Sequence, residues 1–409
     1  MSPSSPRLDR ALIAAALGLV MAIGISLVTE QSSSAAINRG DFPAFYTMGH
    51  LVANGDGHRL YDLDLQRQVQ NAVWPSMSGS VLPAAYPAYL GFLVQPLALL
   101  DVTTSRMVWV SFMIACVIVA AVVLARSVPN LTGMGWRLVI SLFLFCPLFM
   151  GVIGGQVVGW SLLCYSLLFA LNRRRSVGTE VLFGAVAGMW MVKPHYALAV
   201  AAMILFERRW IAFGSWLGVS FILWSLGAFV AGPEWVRGWV AFARHFSEID
   251  LATNAYQMTG VIPLGYSLAR GLGFGSMLSA QVWDLLSLLA ALVVPVGLLI
   301  ARRIDQCYPT QSVPLPLLSL GPLLVLFAPV VNFYDLGLAL LPLVVLFRPT
   351  SPRDRALAGF VLIISQAVGL GRDGTLSSIP FIIALGVIAL WVRAIARELS
   401  QSKPRHRHV

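Results

Sequence analysis

Charge is scarce in this 409-residue chain: 11% of its residues are Asp, Glu, Lys or Arg, where a soluble protein carries about 25%. With 58% of the residues hydrophobic, too little polar surface remains to cover a water-soluble globule. Lysine is scarcer still, at two positions, Lys193 and Lys403. Of the four cysteines, Cys116, Cys146 and Cys164 fall inside apolar runs and Cys307 stands outside the long polar loop, which excludes a disulfide framework. No GxGxxG or P-loop pattern lies between a strand and a helix, so nucleotide binding has no support. His50, His58 and His245 are scattered, with no metal-ligand spacing, and no metal or other cofactor is expected. Neither a fixed-period repeat nor a low-complexity segment breaks the chain into modules.

Long apolar runs are what the chain has in quantity. A helix needs roughly twenty apolar residues to cross a bilayer, fewer where it is short or broken. Runs at 12–28, 107–125, 137–153, 157–171, 180–192, 196–206, 210–231, 280–301, 313–330, 336–347, 355–371 and 376–396 predict an all-α polytopic membrane protein with about twelve transmembrane helices. Residues 1–399 read as one integral domain and 400–409 as a basic cytoplasmic tail. The stretch 82–100 is apolar but carries Pro83, Pro87 and Pro96, which predicts a re-entrant or surface helical piece inside an outer loop of residues 31–105.

The net charge of +10 would suggest nucleic acid in a soluble protein; here it sorts by side of the membrane, and no nucleic-acid partner is expected. With the N-terminus inside, 19 of the 28 basic residues fall on cytoplasmic pieces and 12 of the 18 acids on the other face. Making 82–100 a full span would throw Arg173, Arg174 and Arg175 outside, so the re-entrant reading is preferred. Both termini are then cytoplasmic. Asp41, Gln156, Lys193, His195 and Asp335 converge on the non-cytoplasmic face, though nothing in counting spans required it.

The run Arg39-Gly40-Asp41-Phe42-Pro43-Ala44-Phe45-Tyr46 follows the first span. Gly40 permits a turn, Pro43 stops a helix from running through, and Phe42, Phe45 and Tyr46 are amphipathic anchors at headgroup level. Asp41 is either a catalytic carboxylate or the N-cap of the next helix, and the two roles are compatible. Lys193-Pro194-His195 puts an ionisable group between two apolar runs, a functional candidate against the plainer alternative of a snorkelling lysine. His195 ranks below it. Gly154-Gly155-Gln156 is a hairpin turn whose Gln156 has an amide to offer a sugar or phosphate, and Asn332-Phe333-Tyr334-Asp335 is a turn in which Asp335 either caps a helix or faces the cavity. Arg59, Tyr61, Asp62 and Tyr86 bring aromatic and polar groups suited to sugar stacking, or to packing the loop.

In this order and spacing, Gly40-Asp41-Phe42 through Tyr46, Gly49, Leu60-Tyr61-Asp62, Tyr86-Pro87, Gln95-Pro96-Leu97, Gly155-Gln156, Lys193-Pro194 and Tyr334-Asp335 resemble glycosyltransferase family 87, over roughly residues 10 to 395. The chain departs from the family pattern at Ala88, where a second proline is usual, and at Asn332, near which relatives carry a histidine. The resemblance implies a GT-C fold and a polyprenyl-phosphate sugar donor, with mannose foremost, entering from the bilayer. It implies a glycolipid or glycan acceptor, an active site on the outer side of a bacterial plasma membrane, and the catalytic aspartate at Asp41. A lipid monophosphate is already a good leaving group, so one carboxylate can suffice as base, with Lys193, aided by Arg59 or His195, on the phosphate. Tyr46, Tyr61, Asp62, Tyr86, Gln156, Asn332, Tyr334 and Asp335 complete the expected substrate cavity. A transporter or lipid flippase is the rival reading, since broken helices and intramembrane charges mark those proteins too.

Overall fold

The computed structural model describes residues 40–77, 79–254, 258–273, 276–310, 313–328, 331–346, 352–366 and 379–401. The expected first span at 12–28, Arg39 and all but the start of the basic tail lie outside these residues. Those described form α-helices joined by 3-10 turns and short loops, and no strand is found among them. In chain order the helices are α1 (Phe42–Ala53), α2 (Leu63–Val73), α3 (Ala88–Val94), α4 (Val102–Ser127), α5 (Gly135–Leu144), α6 (Cys146–Ile153), α7 (Val158–Leu171), α8 (Val177–Met189) and α9 (Pro194–Phe206). They continue as α10 (Trp210–Ala231), α11 (Trp235–Asn254), α12 (Val261–Gly271), α13 (Ser276–Cys307), α14 (Leu315–Phe327), α15 (Leu336–Leu346), α16 (Pro352–Gln366) and α17 (Ile379–Gln401).

Four described helical stretches are long and apolar enough to cross a membrane: α4, α10, Ser287–Cys307 of α13, and α17. The pair α5 and α6 qualifies together as a fifth, bent by 83°. The bend falls at Phe145, whose backbone is extended, two residues before Pro147. Several of the other runs expected to cross are shorter helices. α7, α8, α9, α14 and α15 have 14, 13, 13, 13 and 11 residues. At about 1.5 Å per residue such helices reach about 20 Å, short of a hydrocarbon core of about 30 Å. Apolar runs alone therefore do not separate straight spans from the short or broken helices found among the described residues.

One cut matters most. After α8 a 3-10 turn, Trp190–Val192, leads to Lys193, whose backbone is extended (φ −120°, ψ 90°). Pro194 then opens α9. A residue before proline is driven out of the helical region, and proline is well placed in a first helical turn. The dipeptide thus breaks the helix and leaves Lys193 at the tip of an α8–α9 hairpin.

The opposite end of that hairpin is tied by charge. Arg209, buried between α9 and α10, donates Nε and NH2 to the two carboxylate oxygens of Glu180 at 2.9 Å each, and NH1 to Asn172 Oδ1 at 2.9 Å. Its guanidinium lies 3.7 Å from the centre of the Phe183 ring. Arg175–Glu207 and Arg393–Asp354 join side chains that the charge distribution assigns to one side, and Lys193–Asp335 and Arg244–Asp284 join side chains it assigns to the other.

In lipid, helices associate through close packing rather than through a gain in apolar burial, so small residues gather at crossings. A Cβ on Gly184 would lie 1.9 Å from the Ala212 carbonyl oxygen, where α8 meets α10. On Gly159 it would lie 2.4 Å from the Met113 carbonyl oxygen, where α7 meets α4. Both crossings need glycine.

Candidate active site

Asp41 holds the N-cap position of α1, yet its side chain makes no capping bond. Asp41 Oδ2 instead accepts a hydrogen bond from the Tyr86 hydroxyl at 2.9 Å, and the Gln156 side chain bonds it as well. The same hydroxyl lies 3.4 Å from Gln156 Oε1. Tyr86 is set in turn by the Tyr61 hydroxyl, which donates to the Tyr86 carbonyl at 3.0 Å, and its ring lies 4.6 Å from that of Phe45. Asp41 remains partly exposed. Burial among its neighbours nonetheless lifts its pKa above the ordinary carboxylate value, against the pull of the Gln156 and Tyr86 hydrogen bonds and the Lys193 charge.

Lys193 meets Asp335 across 142 residues of sequence. Its Nζ donates to Oδ1 at 2.6 Å and Oδ2 at 2.7 Å, and both side chains are buried. The ammonium also stands 5.1 Å from the ring centre of Tyr334 and 5.3 Å from that of Tyr196. Asp335 accepts from the Asn332 backbone N–H at 3.3 Å, closing a capping box on the 3-10 turn Phe333–Asp335 that leads into α15. This one carboxylate thus closes the turn and holds Lys193 at once. The Asn332 amide donates to the Tyr334 hydroxyl at 2.7 Å, and Thr259 N–H donates to the Val331 carbonyl at 2.8 Å.

The glycine turn between α6 and α7 joins these two groups. Gly40, at φ +130°, lies so close that a Cβ there would fall 1.9 Å from the Gly154 carbonyl oxygen. A Cβ on Gly155, at φ +77°, would be 2.8 Å from the Phe42 Cβ, and one on Gly151 would be 2.5 Å from the Tyr334 Cβ. The Asp41 loop thus lies on one flank of the turn and the Tyr334–Asp335 turn on the other. Trp109 of α4 fixes the turn from a third side, its indole N–H donating to the Gly155 carbonyl at 2.7 Å.

Other expected site residues stand apart. Arg59 is exposed and pairs with Asp62 at 2.6 Å. Asp62 also caps α2 by accepting from the Leu65 N–H at 3.0 Å, and this bond, with the Arg59 bond behind it, holds its pKa below the usual value. Tyr46 is buried, its ring 5.6 Å from that of Trp74 and 6.2 Å from that of His50. His195 packs edge-on against Tyr196 at 4.3 Å, and its Nε2 is buried without a hydrogen-bond partner. Tyr196 and Trp109 were not foreseen from sequence, where each is one more aromatic in an apolar run. Among the described residues no three His, Cys, Asp or Glu side chains gather as a metal site would need.

A model of glycosyltransferase family 87 matches residues 84–329, more than half of the chain. The chain belongs to glycosyltransferase family 87. This glycosyltransferase is a membrane protein whose substrates are a sugar donor and an acceptor, and its helical architecture agrees with the GT-C superfamily. No curated protein and no solved structure matches the chain. Tyr86, Gln156, Lys193 and His195 lie within the matched residues, whereas Asp41 and Asp335 lie beyond its two ends. Contacts through Tyr86, Lys193 and the glycine turn tie both acids to the matched part of this glycosyltransferase.

Proposed function

We propose that this glycosyltransferase moves a sugar, mannose foremost, from a polyprenyl-phosphate donor to a glycolipid or glycan acceptor at the outer face of a bacterial plasma membrane. Asp41 is the base. The observation that carries this reading is that Asp41 occupies a helix N-cap without capping, partly exposed and oriented by Tyr86 and Gln156. A carboxylate with only a structural task would bond the free N–H groups of α1.

In the proposed step the acceptor hydroxyl oxygen attacks the anomeric carbon opposite the phosphate. Its proton passes to Asp41 as the new C–O bond forms. The bond from the anomeric carbon to the phosphate oxygen breaks, and polyprenyl phosphate leaves with the electron pair. One displacement inverts the anomeric configuration, in contrast to the double displacement of retaining hydrolases. Lys193 has a third N–H beyond the two held by Asp335, which suits a single contact to a phosphate oxygen.

The test is a donor screen on membranes that contain or lack the protein, read as new glycolipid, with Asp41→Asn in parallel. Transfer by the wild type and none by Asp41→Asn is expected. Near-normal transfer by Asp41→Asn removes Asp41 from the chemistry.

A further inference from the structure

The site described above holds two carboxylates, Asp41 and Asp335, and one ammonium, Lys193, whose two shortest bonds both go to Asp335. Taken as charged groups these carry a net negative charge, which repels any phosphate. A donor of the proposed kind needs a second cation at the same end of the molecule. Arg59, Arg67 and Arg244 are each matched there by a carboxylate, Asp62, Asp64 and Asp284 respectively. Arg237 is exposed on α11.

Arg106 differs from all of these. It sits in the second turn of α4, half-buried, and no acidic side chain pairs with it among the described residues. The acid nearest in sequence, Asp101, is engaged in capping α4 through the Thr104 N–H at 3.0 Å. Neighbouring residues fix where Arg106 stands. Ser105 is buried and bonded to the Leu97 carbonyl, and Trp109, one turn on, bonds the Gly155 carbonyl and packs with its ring centre 5.0 Å from that of Phe45. Residues three apart share a helix face, and helical side chains lean toward the N-terminus. Arg106 thus stands one helical turn before Trp109, at the N-terminal end of the same helix that holds the glycine turn beside Asp41.

We propose that Arg106 binds the phosphate of a lipid-borne sugar donor, supplying the positive charge that Lys193 gives up to Asp335. This rests on the reading of the chain as a user of a lipid-phosphate donor. A planar guanidinium suits the task because it grips two phosphate oxygens at once. At the rim of a span it meets the phosphate at the depth where a membrane-dissolved polyprenyl chain presents it. A phospholipid headgroup offers the same chemistry at that depth, so the experiment must separate the two sources.

The probe is polyprenyl monophosphate without sugar, titrated against the full-length protein in nanodiscs of zwitterionic lipid, and again with phosphatidylglycerol added. Arg106→Met is expected to weaken binding by about tenfold or more, as loss of a charge-assisted contact to a phosphate does, while Arg106→Lys retains part of it. Phosphatidylglycerol at equal concentration should displace little of the probe. Unchanged binding in Arg106→Met overturns the proposal, as does full displacement by phosphatidylglycerol, which makes Arg106 a headgroup contact. If Arg106→Met is poorly folded, the loss is judged on Arg106→Lys and Arg106→Gln, both matched to wild type in thermal unfolding. Loss of binding in these variants together with no sugar transfer by the wild type upholds the phosphate site and overturns the transferase mechanism, so the two failures are distinct.

Discussion

Lys193 and Asp335, distant in sequence, meet with the ammonium on both carboxylate oxygens at 2.6 and 2.7 Å, in a place nearly closed to solvent. Removing one member of a buried pair leaves an uncompensated charge, a loss of about 3–5 kcal/mol. Asp335→Asn should therefore lower thermal stability in detergent more than Lys193→Met combined with Asp335→Leu does. A double-mutant cycle by thermal unfolding checks it. Additive losses would mean the pair is not coupled.

This pair also marks how far the sequence was legible. The break at Lys193 was readable because proline reports on its own backbone and on the residue before it. The Asn332–Asp335 turn was readable for a similar local reason, as polar residues between two apolar runs. That the two breaks face each other was not, since no local rule links positions 142 residues apart. Asp41 was singled out from its neighbours in sequence, but its bond to Tyr86 arises from the chain folding back across 45 residues. That Arg59 and Asp62 pair with one another, three residues apart at the start of α2, was not read from the sequence either. Which apolar runs are straight spans and which are short or broken helices was legible only where a proline or a polar turn marks the cut, and the bend at Phe145 carries no such local mark beyond Pro147.

With Asp41 as the proposed base, Tyr86 becomes a positioning residue rather than only a surface for sugars to stack on. Tyr86→Phe keeps the ring against Phe45 and deletes the hydroxyl that holds Asp41 Oδ2 at 2.9 Å. Transfer should fall by about tenfold, the value of one hydrogen bond to a charged group. Stability should change little. The split is checked by kcat and donor KM together: a loss confined to KM would return Tyr86 to substrate binding.

Burial raises the pKa of Asp41, and as the proposed base it works only when deprotonated. Activity should therefore fail, as the pH drops, at a value above the ordinary Asp range of about 3.9. In Tyr86→Phe one hydrogen bond that stabilises the charged carboxylate is gone, so the acid limb should move to still higher pH. A pH profile of kcat/KM for wild type and variant measures both. A wild-type profile flat down to pH 4, or a variant limb displaced toward acid, contradicts the assignment.

The glycine turn gives a steric test of whether the two halves of the site act together. Gly151 lies in helix α6, with no unusual backbone, so alanine there changes packing alone. Its Cβ would fall 2.5 Å from Tyr334 Cβ and 3.1 Å from Val158 Cγ1. These atoms are near the backbone and cannot swing aside, so the Tyr334–Asp335 turn must shift. Overpacking of this kind costs about 1–3 kcal/mol. Gly178, in the first turn of α8, meets nothing within 4 Å, and alanine there should raise stability by up to about 1 kcal/mol. Gly151→Ala is expected to lose transfer activity beyond its loss of folded protein, because it moves Asp335 and Lys193 relative to Asp41. Activity per folded molecule, compared between Gly151→Ala and Gly178→Ala, decides the matter. Equal specific activity would show that the Asp41 loop and the Lys193–Asp335 pair need not keep this register for the enzyme to work.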